Sequence, residues 1–377
     1  MKIGILTFHA AHNFGSMLQA YALQKYLIDK RCEAIILNLR TKRQLRLYRH
    51  PLSLKFPYRR SSLYEAVTSF FNPVWLFHEC RRWEIYEDFL KNDLMLSKRE
   101  YRHWSDLRNH ISQLKLDGII TGGDQIWNIR CKDFDDSYLL CGELKGIKKI
   151  SYSPSFGGRL LSSITKDETD YFKQNLSDYD YISVREESMR QFLSTLLNKK
   201  IELVVDPTLL LQAHDYDNLI DDEPLIKGDY LYYYSPIQRP YAEKLAKKIG
   251  EYYGIKVVTS FPHVFKNGGM LGYQESGPIE FLNLLKNASL VIGRSFHSVV
   301  FSVLFHKDFI AIDGNSDARM SDFLSQLAIS ERGMITEENY KQITLPKIDF
   351  DAIDKKLDVC RSSSDMFLMK ALQNMSD

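Results

Sequence analysis

Short apolar segments that each run into a polar loop recur along most of the chain, and this alternation restricts the fold more than any other feature. The first segment is Lys2–Phe8, followed by the loop His9–Ser16 and then by Met17–Lys30, whose apolar residues repeat at helical spacing. A second apolar segment, Ala34–Asn38, completes a strand–helix–strand unit. Such units build parallel sheets with helices on both faces. The sequence therefore predicts an α/β fold.

Chain length and the spacing of the later segments predict two such domains. Single hydrophobic cores stop growing at about 250–300 residues, and this chain has 377. Residues 215–228 are acidic and poor in large apolar side chains, which is typical of a linker. We expect an N-terminal Rossmann-like domain over 1–214, with a basic and helical insertion near 40–110, and a C-terminal Rossmann-like domain over 229–350. A helical segment is predicted for 351–377.

The overall composition argues against several classes of protein. A formal net charge of +2 gives no support for a nucleic-acid binder, which is usually basic overall or on one face. The five cysteines include no CxxC pair, so neither a disulfide framework nor a structural zinc site is expected. No apolar stretch of about 18 residues predicts a transmembrane helix, and no signal peptide is evident. We therefore expect a cytoplasmic protein.

The turn Gly293–His297 follows an apolar segment and precedes an apolar helical pattern. Ligands of open α/β sheets bind outside the carboxyl ends of the strands, so this turn is a candidate binding site. The first amides of a helix favour an anion, and Arg294, Ser295 and His297 could hold a phosphate or carboxylate and move a proton. The alternative is that Arg294 is a surface residue and that His297 packs against the sheet.

Two further loops carry groups that suit an anionic ligand. Arg185 follows the predicted strand Tyr181–Val184, and a guanidinium matches carboxylate and phosphate oxygens in a bidentate manner. A salt bridge to one of the glutamates that follow it is the alternative. Asn13 and Gly15 lie where the first helix begins, which is a common anion site. This loop is not a GxGxxG sequence, so a dinucleotide cofactor has no motif support.

The turn Gly122–Asn128 follows another predicted strand and combines two glycines with polar and aromatic side chains. Glycines allow a close approach of the backbone to a ligand. Asp124, Gln125 and Asn128 could bind sugar hydroxyls, and the ring of Trp127 could stack on a sugar. The alternative is a tight turn in which Asp124 caps a helix.

A set of short segments, taken together and in order, is more specific than any one of them. The segments are Lys2–Phe8, Asn13–Gly15, Leu18–Leu23, Gly122–Asn128, Ser155–Gly157, Val184–Glu186, Asp206–Thr208, Ser295–His297 and Arg319–Arg332. In this order they resemble the polysaccharide pyruvyl transferase family over almost the whole chain. The resemblance implies two Rossmann-like domains that face a central cleft, similar to the fold of GT-B glycosyltransferases.

The resemblance also implies an activity. Members of the family move pyruvate from phosphoenolpyruvate onto two hydroxyls of a saccharide, as a cyclic ketal, and release phosphate, in the biosynthesis of bacterial surface polysaccharides. His297 matches the acid/base histidine of the family, and Arg185 matches an arginine linked to donor binding. Where some members have Arg-x-His, this chain has Ser295, so Arg294 or Arg319 would have to supply the missing charge.

The predicted site thus has a catalytic, a donor-binding and an acceptor-binding part. Its catalytic residues are His297 and Arg185. The donor-binding residues are Arg185, Arg294, Ser295, Arg319, Asn13 and Gly15, and the acceptor-binding residues are Asp124, Gln125, Trp127 and Asn128. No metal or redox cofactor is expected, since His9 and His12 lie three residues apart in one loop with no evident third partner.

Two other functions are compatible with the same residues. A glycosyltransferase that uses a nucleotide sugar would share the two-domain fold, because a fold does not determine a function. Its C-terminal domain would need groups for a base and a ribose, and no clear ribose carboxylate is evident. A non-catalytic saccharide-binding protein would use the Gly122–Asn128 turn, but the arginines and His297 would then have no role.

The stretch 40–60 is basic, with interleaved leucine and aromatic residues. Such a segment could rest on anionic headgroups at the inner face of the cell membrane, or contact the pyrophosphate of a lipid-linked acceptor. A solvated loop is the equally supported alternative.

Overall fold

Two parallel β-sheets lie at the centres of two domains in the computed structural model, which describes residues 1–53, 73–158, 161–220, 223–237, 239–260, 270–341 and 347–375. Every strand pair in both sheets is parallel, and the strands alternate with helices along the chain. This confirms the predicted α/β class with two Rossmann-like domains.

The N-terminal sheet has its topological switch point between its first and third strands. Its strands are β1 Lys2–Leu6, β2 Glu33–Ile36, β3 Gly118–Gly122, β4 Lys148–Tyr152, β5 Tyr181–Val184 and β6 Glu202–Leu203. Their order is β2-β1-β3-β4-β5-β6. The chain moves outward from β1 to β2 and then returns to the other side of β1 for β3. Ligands of such sheets bind outside the carboxyl ends of the strands at this reversal.

The C-terminal sheet repeats this arrangement around β7. Its strands are β7 Tyr230–Tyr234, β8 Lys256–Thr259, β9 Leu271–Gly272, β10 Leu290–Gly293 and β11 Phe309–Ala311. Their order is β11-β10-β7-β8-β9, so the reversal lies between β7 and β10. The turn that carries Arg294 and His297 therefore leaves the sheet at its switch point.

The helices begin close to where the apolar periodicity predicts them. They are α1 Phe14–Asp29, α2 Lys42–Leu47, α3 Pro73–Asn92, α4 Trp104–His110, α5 Lys166–Leu176, α6 Glu187–Leu197, α7 Pro240–Tyr253, α8 Pro278–Lys286, α9 Phe296–Leu304, α10 Ala318–Leu327 and α11 Phe350–Gln373. Helix α1 starts three residues before Met17, where its start was predicted. The reason is that the Asn13 side chain accepts a hydrogen bond from the Ser16 amide at 3.2 Å and caps the helix.

The C-terminal helix α11 returns to the N-terminal domain. Its Ser364 hydroxyl accepts a hydrogen bond from the Val205 amide at 3.0 Å, and its Asp365 accepts one from the Tyr26 hydroxyl at 2.5 Å. Leu368, on the same helix, is fully buried in a core that also includes residues of α1. Helix α11 therefore packs in the N-terminal domain, although it follows the C-terminal domain in the sequence.

The long helix α3 of the insertion connects the two domains. Its His78 Nδ1 lies 3.1 Å from a carboxylate oxygen of Glu275, in the C-terminal domain. One face of its Ile85 packs against Gly277, where an added β-carbon would lie 2.4 Å from the isoleucine methyl carbon. The insertion is therefore part of the wall between the domains.

Phe14, the first residue of α1, forms an aromatic contact across the same boundary. Its ring centroid lies 5.0 Å from those of Tyr234 and Phe281 in the C-terminal domain, and 5.8 Å from that of Tyr86 on α3. Buried aromatic pairs at such distances stabilise an interface beyond the area that they bury. This cluster fixes the start of α1 against the C-terminal sheet.

The predicted linker and the basic stretch are both partly packed. Residues 213–219 form a 3-10 helix whose Tyr216 is fully buried and donates a hydrogen bond to the Thr208 carbonyl at 2.9 Å. In the basic stretch, the Gln44 amide of α2 donates to the Tyr138 hydroxyl at 2.7 Å. Residues 54–60 lie outside the described residues. None of the described helices is both long and apolar enough to cross a bilayer, and membrane contact by this stretch stays a prediction.

Candidate active site

The N-termini of two helices, one from each domain, meet in the crevice. Asn13 caps α1, and Ser295 caps α9 by accepting a hydrogen bond from the Ser298 amide at 3.1 Å. Within the described part of the chain, the next two amides of each helix, those of residues 14, 15, 296 and 297, donate no hydrogen bond. Uncommitted amides at helix N-termini carry partial positive charge and bind anions.

Gly15 allows the two helices to approach each other this closely. A β-carbon at Gly15 would lie only 2.0 Å from His297 Nδ1 and 2.3 Å from its Cγ. The backbone of Gly15 is not in the left-handed region, so the glycine is required here for space and not for an unusual backbone angle. The sequence predicted that Gly15 and His297 belong to one site, and the structure brings them into direct contact.

Arg185, Asp206 and His297 form a buried charged cluster below these helix ends. Arg185 Nη2 lies 2.6 Å from Asp206 Oδ2, and the exposed fractions of the two side chains are 5% and 0%. His297 Nε2, which comes from the other domain, lies 3.5 Å from the same oxygen. The other oxygen of Asp206 accepts from the Thr208 amide at 2.9 Å and its hydroxyl at 2.5 Å. The guanidinium also lies over the Phe296 ring, 4.7 Å from its centroid.

The electrostatics of the cluster keep Asp206 ionised. Burial on its own would raise the pKa of Asp206, but the Arg185 guanidinium and the His297 ring outweigh it and lower that pKa well below its usual range. A permanent negative charge beside an imidazole orients the ring. The Asp206 carboxylate, 3.5 Å from Nε2, therefore fixes the orientation of the His297 ring.

Several buried polar atoms around the cluster have no hydrogen-bond partner within the described residues. They are Arg185 Nη1, His297 Nε2, Glu186 Oε2 and Gln19 Oε1. Leaving such atoms unsatisfied costs about 1–3 kcal/mol each, and natural proteins keep them mainly where a ligand or water completes the hydrogen bonds. Their concentration at one place indicates a binding site for a polar ligand.

Glu186 is a second buried carboxyl at the same strand end. One of its oxygens accepts a hydrogen bond from the Ser155 hydroxyl. Burial raises the pKa of Glu186, and the charges of Arg185 and Arg319 only partly offset that effect. The alternative of a salt bridge between Arg185 and a neighbouring glutamate is not what the structure shows, because the ion-pair partner of Arg185 is Asp206.

Arg319 is brought to the crevice from the C-terminal domain by the start of α10. Its guanidinium binds both oxygens of Asp317, at 3.0 and 2.6 Å. Asp317 also faces Gly158 of the N-terminal domain, where an added β-carbon would lie 3.1 Å from a carboxylate oxygen. The side chain of Arg319 and that of Arg185 line one cavity, and the charge of Arg319 acts on Glu186 and on Asp124 of the N-terminal domain.

Arg294 and Ser295 have structural partners. Arg294 Nε donates to Asp313 at 2.7 Å and to the Tyr241 hydroxyl at 3.0 Å, all within the C-terminal domain. Ser295 caps α9. Of the two arginines considered for the charge missing at Ser295, Arg319 is therefore the one whose charge acts on groups of the other domain.

The acceptor-binding residues predicted from the Gly122–Asn128 turn are only partly available. Trp127 is fully buried, and its Nε1 donates to the Tyr138 carbonyl at 3.1 Å. The prediction that its ring stacks on a sugar is wrong, because both ring faces are packed in the core. Gln125 and Asn128 are half-buried and hydrogen-bond to each other at 3.0 Å.

The sequence left open whether Asp124 binds a sugar or caps a helix. It is buried, takes a left-handed φ of 49°, accepts the Ser16 hydroxyl and accepts the Gln125 amide at 2.8 Å. Its carboxylate therefore ties the turn after β3 to the start of α1. These contacts make it a connector between two of the loops that form the site.

Sequence reasoning gave no role to Asp206, the central residue of the cluster. Asp206 follows β6 and precedes Pro207 and Thr208, a pattern that also suits a simple turn cap. The available signal was its place at the end of a predicted strand, as for Arg185. Its burial beside Arg185 and His297 depends on contacts between distant segments, which no local pattern reports.

His9 and His12 both have partners within the N-terminal domain and its insertion. His9 is buried beside the Thr7 carbonyl, and burial lowers its pKa to about 4. His12 lies 3.2 Å from Glu87, which Arg40 binds through two nitrogens at 2.9 and 2.6 Å. Among the residues that the structure describes, no three histidine, cysteine or carboxylate side chains are grouped closely enough to hold a metal ion.

Comparison with known families agrees with the fold and the site. Two Rossmann-like domains around a crevice are the arrangement of GT-B-like enzymes. The family model described as polysaccharide pyruvyl transferase matches residues 13–316, which is most of the chain. The chain therefore belongs to the polysaccharide pyruvyl transferase family.

Solved structures show the same fold at low sequence identity. The UDP-GlcNAc 2-epimerase from Neisseria meningitidis, bound to UDP-GlcNAc, has a TM-score of 0.55 at 10% identity, over 99% of this chain and 100% of that chain. The UDP-GlcNAc 2-epimerase from Methanocaldococcus jannaschii has a TM-score of 0.51 at 11% identity, over 95% and 99%. At this identity the likeness concerns the fold alone. No curated protein sequence is significantly similar to the chain.

The contact between Gly15 and His297 predicts a coupled effect on stability. Gly15→Ala should lower the free energy of unfolding by about 1–3 kcal/mol, because the new methyl group overlaps the imidazole. In a His297→Gly protein the ring is absent, so the same change should cost much less. Urea unfolding of the four proteins measures this coupling. An equal cost of Gly15→Ala in both backgrounds would show that the two residues are not in contact.

The buried ion pair predicts a pH-dependent stability. Since folding lowers the pKa of Asp206, its stabilising effect is present in full above about pH 4 and is lost as the pH falls further. Asp206→Asn leaves Arg185 buried without its counter-ion and should destabilise by about 3–5 kcal/mol at pH 7. The difference between the two proteins should shrink in urea titrations as the pH falls below about 4.

A matched variant controls for the loss of any carboxylate. Asp358 is 64% exposed and pairs with Arg361 on α11, so Asp358→Asn should change stability by no more than about 0.5 kcal/mol at either pH. A pH-independent effect of Asp206→Asn would contradict the assignment of an ionised aspartate.

Proposed function

We propose that the protein transfers the pyruvate of phosphoenolpyruvate onto two hydroxyls of a saccharide, as a cyclic ketal, and releases phosphate, in the biosynthesis of bacterial surface polysaccharides. The observation that carries this proposal is the buried Arg185–Asp206–His297 cluster, which lies where the N-termini of α1 and α9 meet. Membership of the polysaccharide pyruvyl transferase family supports the class of reaction.

The anionic groups of phosphoenolpyruvate suit the hydrogen-bond donors that line the crevice. Phosphoenolpyruvate carries its phosphate and its carboxylate on the same carbon atom, so it needs several cationic or amide groups around a small space. The first amides of α1 and α9 and Arg185 Nη1 have no hydrogen-bond partner within the described residues. Arg319 adds positive charge from the other domain. Charge-assisted hydrogen bonds of this kind are about twice as strong as neutral ones.

The proposed reaction adds two sugar oxygens to one carbon of the donor. A proton added to the methylene carbon makes the neighbouring carbon electrophilic, and the first hydroxyl forms a bond to that carbon and loses its proton. The bond from this carbon to the phosphate oxygen then breaks, and phosphate leaves with the electron pair. The second hydroxyl adds to the same carbon and loses its proton. One hydroxyl proton balances the proton added at the methylene carbon, and the other leaves with phosphate.

In this scheme His297 transfers the proton. Imidazole accepts and releases protons near neutral pH. Its Nε2 has no hydrogen-bond partner within the described residues, and the Asp206 carboxylate lies 3.5 Å from it and orients the ring. Arg185 holds Asp206 and offers its free Nη1 to the phosphate, where it would stabilise the charge of the leaving group.

Activity measurements on two variants test these roles. His297→Ala should lower the rate of phosphate release from phosphoenolpyruvate and a saccharide acceptor by about 100- to 10,000-fold, the usual contribution of a general acid–base group. Arg185→Ala should weaken donor binding and lower the same rate. A panel of saccharides with neighbouring hydroxyls serves as acceptors, and the methyl singlet of the ketal in the proton NMR spectrum identifies the product.

Two surface residues near the same helices, one histidine and one arginine, provide matched control variants. His306 lies just beyond the other end of α9 and is half-exposed, and Arg190 on α6 is a surface arginine paired with Glu187. His306→Ala and Arg190→Ala should keep the wild-type rate. Unchanged phosphate release by His297→Ala or Arg185→Ala would reject the role given to that residue. Stabilisation by a nucleotide sugar but not by phosphoenolpyruvate in thermal melts would favour glycosyl transfer instead.

A further inference from the structure

A cleft of about 500 Å³ lies at the end of helix α9 that is far from His297, and we call it the distal cleft. Its walls come from the 3-10 helix 213–219, from the ends of α8 and α9, and from helix α11. Pockets that hold small ligands enclose about 300–1,000 Å³, so the distal cleft has room for one. It shares no lining residue with the cavity beside Arg185 and Arg319.

Lys307 is a lysine of the distal cleft that lacks a counter-ion. Its side chain is half-buried, and its ammonium group forms neither an ion pair nor a hydrogen bond within the described part of the chain. Burial lowers the pKa of Lys307, and the like charge of Lys286 lowers it further. Removing a charge from water without compensation is costly. Lys307 is therefore a group that a bound anion would complete.

The two carboxylates that line the distal cleft are already engaged with other partners. Asp217 binds the Lys286 ammonium group at 2.8 Å, and Asp354 lies 3.0 Å from His306 Nε2. Neither carboxylate is left to neutralise Lys307. The pairing within the cleft thus leaves one positive charge over.

The end of helix α9 places Lys307 at the cleft. His306 takes a left-handed φ of 52°, and its amide donates to the Val303 carbonyl at 3.1 Å. The Lys307 amide donates to the Ser302 carbonyl at 2.8 Å, which completes a Schellman ending. The last carbonyls of the helix are therefore bonded to backbone amides, and the Lys307 ammonium group is left to the cleft.

The distal cleft also has an apolar part. Leu304 and Phe305, at the end of α9, supply it, and Gln212 and His214 add polar side chains. A sugar ring or a base can pack on such a mixture of apolar and polar groups, whereas an inorganic ion would fill only a small part of the space. The lining therefore suits an organic anion.

We propose that the distal cleft binds a small organic phosphate, a phosphate group joined to a sugar or to a nucleoside, with the phosphate against Lys307. A phosphate monoester carries up to two negative charges and three strong acceptor oxygens. Lys286 and Arg361 line the same cleft and add positive charge around it. Since His297 and Leu304 are seven residues apart on one helix, about 10 Å along its axis, this ligand does not occupy the catalytic crevice.

Binding measurements with two organic phosphates and their neutral counterparts test the proposal. Isothermal titration calorimetry compares glucose 1-phosphate, glucose, UMP and uridine on the full-length wild-type protein, on Lys307→Gln and on the control Lys200→Gln, whose lysine is 82% exposed. At least one phosphate should bind wild type and Lys200→Gln alike, and about 10- to 100-fold more weakly to Lys307→Gln, the usual effect of losing a hydrogen bond to a charged group. Which of the two phosphates binds distinguishes a sugar phosphate from a nucleotide.

Thermal melts without ligand show whether the fold of the variant is intact. Lys307→Gln should be at least as stable as wild type, because the charge that it removes is disfavoured by burial and by Lys286. A phosphate that binds in the catalytic crevice would bind all three proteins equally, so only the part of the affinity that depends on Lys307 reports on the distal cleft.

Three results would overturn the proposal. The first is that Lys307→Gln binds both phosphates as tightly as wild type does. The second is that neither phosphate binds wild type better than its neutral counterpart does. The third is a clear loss of stability in Lys307→Gln, which would show that the lysine has a stabilising partner in the folded chain. Each result leaves the proposed pyruvyl transfer in the crevice unaffected.

Discussion

The ion pair between Arg185 and Asp206 is the interaction on which the rest of the site depends. Arg185 follows β5 and Asp206 follows β6, so the pair joins two neighbouring strand ends of the N-terminal sheet. His297 reaches the same carboxylate oxygen from the other domain. Burying two charges costs several kcal/mol per ion before their attraction is counted, and apolar replacements are often as stable. A pair so fully removed from water is therefore better explained by chemistry than by stability.

The packing of the two domains against each other brings His297 to this ion pair. The switch points of the two sheets place the first turns of α1 and α9 opposite each other, and Gly15 allows them to touch. The aromatic contacts of Phe14 and the helix α3 fix that approach from one side. Helix α11 returns from the C-terminal domain and bonds to Val205, next to Asp206. Each of these contacts limits how far the two halves of the site can separate.

The sequence predicted the fold well because its main signals are local. Apolar runs and helical spacing gave the strands and helices, and the strand-end rule pointed to Gly15, Arg185 and His297, which the structure places in one cluster. Trp127 was misjudged because its loop contains glycines and polar residues, while the indole itself turns into the core. Asp206 received no role. Its burial depends on segments far away in the chain.

The central claim is that phosphoenolpyruvate binds between the two helix N-termini, above the buried cluster. A crystal structure of the protein soaked with phosphoenolpyruvate tests it most directly. The ligand should lie in the crevice, with anionic oxygens within hydrogen-bond distance of Arg185 Nη1 and of the amides of Gly15 or His297. Phosphoenolpyruvate bound at another place, or a crevice that stays empty of it while a nucleotide sugar occupies that space, would contradict the account.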